Sequence, residues 1–227
     1  MTVASRTKVV SSNSAIRGAL IDETYAVFAA WDFARSKREN LIRLREENLI
    51  GAKSASWLKK VANALGRRFD TEGRDRALVV LAKNGCELEI WKPLLLWHIT
   101  CDEFLLRDFL INWLFPAYEA GVYRVRSNDL HNHLKTLSKR GGRTERAWSD
   151  ATLKRVAAGL LKMSVDFGLL HGKVIKEFVS YHLPERSFIY LLHAMRAEKL
   201  NPRKDISSID WRMFLMRPVD DEHELLR

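Results

Sequence analysis

SNDLHNHLKTLSKRGGRTERAWSDATLKRVAAGLLKMSVDFGLLHGKVIKEFVSYHL, residues 127–183, is the stretch whose reading decides the fold. It reads as a short helix, a basic Gly-rich turn, a longer helix and two short extended segments. Ser127 is an N-cap type residue ahead of Asn128 and Asp129. Leu130, Leu134 and Leu137 recur at helical spacing, and Gly141-Gly142 ends the run. The turn carries Lys139, Arg140, Arg143 and Arg146. Ser149 caps the second helix, with Asp150 well placed in its first turn. Leu153, Val156, Ala157, Leu160, Leu161 and Val165 form its apolar stripe, and Lys154, Arg155 and Lys162 lie off it. Gly168 stops it, His171-Gly172-Lys173 makes a tight turn, and the β-branched and aromatic residues from Val174 onward suit a short strand. That order is the signature of a winged helix-turn-helix.

A helix presented by a basic turn can enter the major groove of DNA, while Arg and Lys neutralise phosphates and release counterions. The plainer reading is a small helical unit with a solvated basic face, and the winged-helix fold also serves protein–protein contact. Charge favours a polyanionic partner. The 227 residues carry a formal net charge of +10, with a sequence pI of about 9.7. Two regions concentrate it: residues 126–176 with a net +7, and residues 35–76 with a net +6. In the second, Lys59, Lys60, Arg67 and Arg68 are candidate phosphate contacts. Arg67 and Arg68 also sit at a helix C-terminal end, where the helix dipole alone favours cations.

Outside the opening stretch the chain reads as helices. One is expected over 14–31, one on the charged segment 33–50, and one capped by Ser54 or Ser56 that ends near Phe69. Another covers 71–83, and two more lie between 87 and 115, with Asp102 capping the second and Pro116 ending it. Trp91, Trp97, Phe104, Phe109, Trp113 and Phe115 fall at helical spacing, which points to core packing rather than base stacking. A boundary near 117–121 divides an N-terminal helical bundle, 14–116, from a winged-helix-like domain, 122–216, with a short β-wing. A helix from Pro184 to about Leu200 and a short helical piece over 208–216 close the second unit. Residues 1–13 and 217–227 are expected as flexible tails. The predicted fold class is mainly α.

The remaining features narrow the function. Cys86 and Cys101 form no CxxC pair or Cys/His cluster, which fits a reducing cytosol and argues against a disulfide framework or zinc site. The opening residues lack the apolar run of a signal peptide, and the two most apolar stretches are too short to span a membrane. The expectation is a cytoplasmic protein with no membrane contact. No P-loop, dinucleotide fingerprint, nucleophile elbow or HExxH motif is present, and His131 and His133, two apart on a helix, do not converge on a metal. Neither enzymatic activity nor a cofactor is expected.

Four phrases add a resemblance: GALIDETYAVFAAWD (18–32), NLIRLREENLIGAKSASWLKKVANALGRRF (40–69), LLLWHITCDEFLLRDFL (94–110) and DFGLLHGK (166–173). In their order and spacing they resemble the BrxA family, small accessory proteins of bacterial BREX phage-exclusion systems. The resemblance implies a mainly helical cytoplasmic protein that acts with larger partners of a defence system. That system marks host DNA by methylation and blocks phage replication. Members are likened to the RNA-binding factor NusB, and DNA binding through winged-helix-like domains is also attributed to the family. The family supplies no catalytic residues. Together the readings predict a non-enzymatic accessory protein that binds double-stranded DNA through phosphate contacts. A scaffold subunit of the defence complex and a NusB-like RNA-binding protein are the alternatives. Site, oligomeric state and partner proteins are left open.

Overall fold

A computed structural model describes residues 9–144, 146–198 and 208–217. The chain opens with β1 (Val9–Val10) and α1 (Ser12–Arg17). The single helix expected over 14–31 is broken. Gly18 and Leu20 take positive φ values of 80° and 56° before α2 (Ile21–Ala29) resumes. The cause lies far along the chain: the Arg68 guanidinium donates to the carbonyls of Gly18 (2.9 Å) and Ala19 (3.2 Å), and the break turns both toward it. Next, α3 (Lys37–Glu46) is closed by a capping box of Ser36 and Glu39, and α4 (Ala55–Arg68) is capped by Ser54. The helix expected from residue 71 starts later, as α5 (Arg76–Lys83), because the Asp75 carboxylate accepts from the Asp70 amide at 2.6 Å and closes a turn first.

Then come α6 (Leu88–Asp102), α7 (Phe104–Phe109), a π-helical turn over Leu110–Leu114, and α8 (Phe115–Glu119). Asp102 does not cap α7. It pairs with Arg74 at 2.6 Å, and the break falls at Glu103. Pro116 does not end the helical run: it follows directly on the π-helical turn, whose Phe115 amide donates to the Leu110 carbonyl, and the helix continues through it to Glu119. Helix α6 has nearly every residue from Trp91 to Cys101 buried, and Trp91, Trp97, Phe109 and Phe115 are core residues as their spacing implied.

The opening stretch of the sequence follows. β2 (Arg124–Val125) leads into a 3₁₀ turn (Ser127–Leu130), α9 (His131–Lys135) and a second 3₁₀ turn (Leu137–Arg140). The first helix there is thus three short helical pieces rather than one. Its cap is the Asp129 carboxylate, which accepts from the Arg126 amide at 2.7 Å, and not Ser127. β3 (Arg143–Thr144) precedes α10 (Asp150–Asp166), capped by Ser149 as expected. β4 (Leu170–His171) and β5 (Lys176–Phe178) form a hairpin, and α11 (Glu185–Glu198) and a 3₁₀ turn (Ile209–Phe214) complete the described chain.

A small antiparallel sheet has the order β2–β5–β4, with Arg124 opposite Glu177 and Leu170 opposite Phe178. β1 pairs in parallel with β3, Val9 opposite Arg143, so residues expected in a flexible tail are ordered from residue 9. Residues 1–8 and 218–227 of the two expected tails lie outside the described residues. α1 packs along α10 and α11 packs on α6, so buried residues before and after 117–121 join one hydrophobic cluster. At the first crossing Gly159 lets the backbones meet. A Cβ there would lie 2.3 Å from the Ala15 carbonyl oxygen.

Candidate nucleic-acid interface

Helix α10 presents a sharply divided surface. Leu153, Val156, Ala157, Leu160, Leu161, Met163 and Ser164 are buried. Ala151, Lys154, Arg155, Ala158 and Lys162 are exposed and fall at three-, four- and seven-residue spacings on one face. Cations thus flank two small residues that leave the helix backbone approachable. Lys154 and Arg155 make no ion pair among the described residues, whereas Lys162 is held by Asp166 at 2.8 Å. Ahead of α10, Lys139, Arg143 and Arg146 are exposed. Lys135 lies 3.5 Å from Asp150 at the helix start.

Arg140, placed by sequence among the phosphate contacts, is turned inward. Its Nε lies 2.8 Å from one oxygen of Asp108 and 3.1 Å from the other, and it also donates to the carbonyls of Thr136 and His133. Asp108 is buried and also meets His133 Nε2 at 2.8 Å and Asn112 Nδ2 at 2.9 Å. Burial pushes the Asp108 carboxyl up, but hydrogen bonds from His133, Arg140 and Asn112 outweigh it and hold the group below the usual carboxylate range. Arg140 is therefore a clamp between α7 and the helical pieces before α10. No sequence signal points at Arg140 itself; the signal lies in Asp108, an acid inside an apolar run that needs a partner once buried.

Arg68 is corrected in the same way. It is 2% exposed, lies 3.3 Å from Glu103, and holds the two carbonyls at the α1–α2 break. Burial pulls its pKa below the ordinary guanidinium value, against the opposing charge of Glu103. Lys59, Lys60 and Arg67 on α4 are exposed. The second basic region therefore keeps three of its four named cations at the surface.

A third cluster went unread in the sequence. The buried Asp75 carboxylate meets His98 Nδ1 at 2.5 Å and Arg74 at 2.7 Å, and His98 Nε2 meets the Tyr190 hydroxyl at 2.9 Å. Burial raises the Asp75 pKa, but His98 and Arg74 more than reverse it. This network joins the start of α5 to α6 and α11. Among the described residues no group of three or more His, Cys, Asp or Glu side chains is placed to hold a metal, and no helix is long and apolar enough to cross a membrane.

The fold and surface define a mainly helical protein with a small antiparallel sheet and a cationic helix face beside it. A family model described as BrxA matches residues 12–194, which include every helix from α1 to α10 and most of α11. The chain belongs to the BrxA family, and so is a BREX-associated protein. No curated protein matches the sequence.

Proposed function

We propose that the chain is a non-enzymatic, double-stranded-DNA-binding accessory protein of its BREX system, and that residues 122–178 act as a winged helix in which α10 enters the major groove. The observation that carries this reading is the exposed face of α10, Ala151, Lys154, Arg155, Ala158 and Lys162, on a helix followed directly by the β4–β5 hairpin. Support comes from the sheet order β2–β5–β4, which places the strand before the helical pieces beside the returning arm of the hairpin. Lys154 and Arg155 face the phosphates or base edges. Lys139, Arg143 and Arg146 contact the flanking backbone, and Lys59, Lys60 and Arg67 form a second set of phosphate contacts. The cytoplasm is where such a protein would meet DNA, with other proteins of the defence system as further partners.

Duplex affinity measured by fluorescence anisotropy over a salt series tests this. A non-specific binder shows Kd of roughly 10⁻⁴–10⁻⁶ M at physiological salt, and each lost phosphate contact lowers the log–log salt slope by about 0.9. Lys154→Glu/Arg155→Glu should weaken binding and lower the slope by about 1.8 for two contacts. Equal affinity and equal slope in wild type and variant would overturn the assignment. Preferential competition by structured RNA would move it to the RNA-binding alternative. No duplex affinity, with a stable partner complex in pull-down, would move it to the scaffold alternative.

A further inference from the structure

A cavity of about 480 Å³ opens between the helical pieces before α10 and the start of α10 itself. Three buried leucines line it: Leu134 and Leu137 from those pieces, and Leu153 from α10. Trp148 is also part of its lining. The indole is half-buried and stacks on no other ring among the described residues. Lys135 and Arg143 bring positive charge to the same space. Arg143 is exposed and makes no ion pair or side-chain hydrogen bond among the described residues. Lys135 lies 3.5 Å from Asp150, but the two side chains are 56% and 88% exposed, and such a pair holds its cation only loosely. No carboxylate lines the cavity among the described residues.

We infer that this cavity binds a nucleoside monophosphate, with the base against Trp148 and the leucines and the phosphate at Lys135 and Arg143. The volume falls within the roughly 300–1,000 Å³ of small-molecule sites, which are mainly apolar with a few placed polar groups. An indole at such a site can stack on any base, since every base has a π-face. A bare phosphate would leave Trp148 and the leucines uncovered. An acyl chain or an uncharged aromatic would leave Arg143 without its anion. A nucleotide uses both halves of the lining, and the guanidinium fork matches its phosphate. The inference does not rest on the duplex-binding reading above, but it meets that reading at Arg143. A nucleotide in the cavity and a duplex on α10 would draw on the same cation.

Isothermal titration calorimetry with AMP, GMP, CMP, UMP, adenosine and inorganic phosphate tests this on wild type, Arg143→Gln, Trp148→Phe and Trp148→Leu. Wild type should bind at least one of the monophosphates with Kd below about 1 mM. For AMP, removing the phosphate (adenosine) or its partner (Arg143→Gln) should each weaken binding about tenfold, as for a lost charge-assisted hydrogen bond. Trp148→Leu should weaken AMP and adenosine alike by about fivefold or more, whereas Trp148→Phe keeps a ring to stack on and should retain most of the affinity. Arg143→Gln changes an exposed side chain, so it decides the matter even if Trp148→Leu lowers the thermal midpoint. Failure of all four monophosphates to bind with Kd below about 1 mM would overturn the inference and leave the duplex reading standing. So would binding that Arg143→Gln and Trp148→Leu both leave unchanged. If AMP binds as stated and duplex does not, the cavity assignment stands and the duplex reading falls. If both bind, saturating AMP should lower the duplex salt slope by about 0.9, and an unchanged slope would overturn the sharing of Arg143.

Discussion

Replacing Arg140 with Ala separates a structural cation from a DNA-binding one, and the structure sets the scale of the effect. The guanidinium makes five contacts: two to Asp108 at 2.8 and 3.1 Å, two to Thr136 at 3.3 and 3.0 Å, and one to the His133 carbonyl at 2.6 Å. Breaking a fully buried ion pair costs about 3–5 kcal/mol. Two features lower that figure here. The Arg140 side chain is 24% exposed, and Asp108 keeps His133 and Asn112 as partners. The expected loss is about 3 kcal/mol, which for a chain of this length is a fall in Tm of about 6–12 °C. Urea denaturation of wild type, Arg140→Ala, Asp108→Asn and the double variant should give a coupling of about 1–3 kcal/mol between the two positions. Duplex affinity, measured well below the variant's Tm, should stay within about threefold of wild type, since no phosphate contact is lost. A stability loss under about 0.5 kcal/mol together with a large fall in duplex affinity would refute the clamp and return Arg140 to the DNA-contacting set.

Gly159→Ala should destabilise by about 1–3 kcal/mol in urea denaturation, because the added methyl meets the Ala15 carbonyl oxygen at 2.3 Å. Helix propensity alone predicts the opposite sign, a gain of about 1 kcal/mol, so a stabilised variant would show that α1 does not press on α10. Arg68→Ala should cost about 3–5 kcal/mol by leaving Glu103 without its buried partner, whereas Arg67→Ala one residue away should stay within about 0.5 kcal/mol in the same assay. The Asp75 and Asp108 carboxyls are held below their ordinary range in the folded state. Unfolding therefore takes up protons in acid, and their stabilisation is full above roughly pH 4 and drains as pH falls through the lower folded values. Tm scans should show an acid limb below about pH 4 that is shallower in Asp108→Asn, and an identical limb in that variant would count against the assignment.

What could be read from sequence was whatever local chemistry decides. Ser149 and Ser54 cap their helices, the apolar stripe of α10 is buried apart from the half-buried Val165, and Gly168 ends that helix, because each effect acts within about one turn. The roles of single cations were not legible. Arg140 and Asp108 are 32 residues apart, and Arg68 reaches Gly18 across 50. Nothing at either arginine separates an inward guanidinium from an outward one. The same distance hid the break at Gly18 and Leu20: that backbone conformation is set by a donor two helices away, so apolar spacing alone drew one helix through it. Pro116 misled for a different reason: the helical run passes through it from a π-helical turn into α8, and nothing in the local sequence marks that turn.

These two arginines also change what the charge of the chain means. A net +10 suggests a surface basic all over, yet it does not say which cations supply that surface: Arg68 pairs with Glu103, Arg74 with Asp75 and Asp102, and Arg140 with Asp108, so these arginines are matched by acids inside the fold and the excess lies with other cations. Each of these pairs acts on an element that touches α10 or the helical pieces before it, or on the core behind them. Arg68 holds the C-terminal end of α1, and α1 lies along α10. Arg140 ties the segment before α10 to α7. The inward cations fix the helix, and Lys154 and Arg155, whose positive charge the described residues leave unpaired, point away from it. A cationic face on a helix gripped from two sides loses little conformational freedom on binding, so more of its contact energy appears as affinity. By this argument, loosening the grip at Arg68, Arg140 or Gly159 should weaken duplex binding only modestly, within about threefold, without removing a single phosphate contact, and should leave the salt slope where it was.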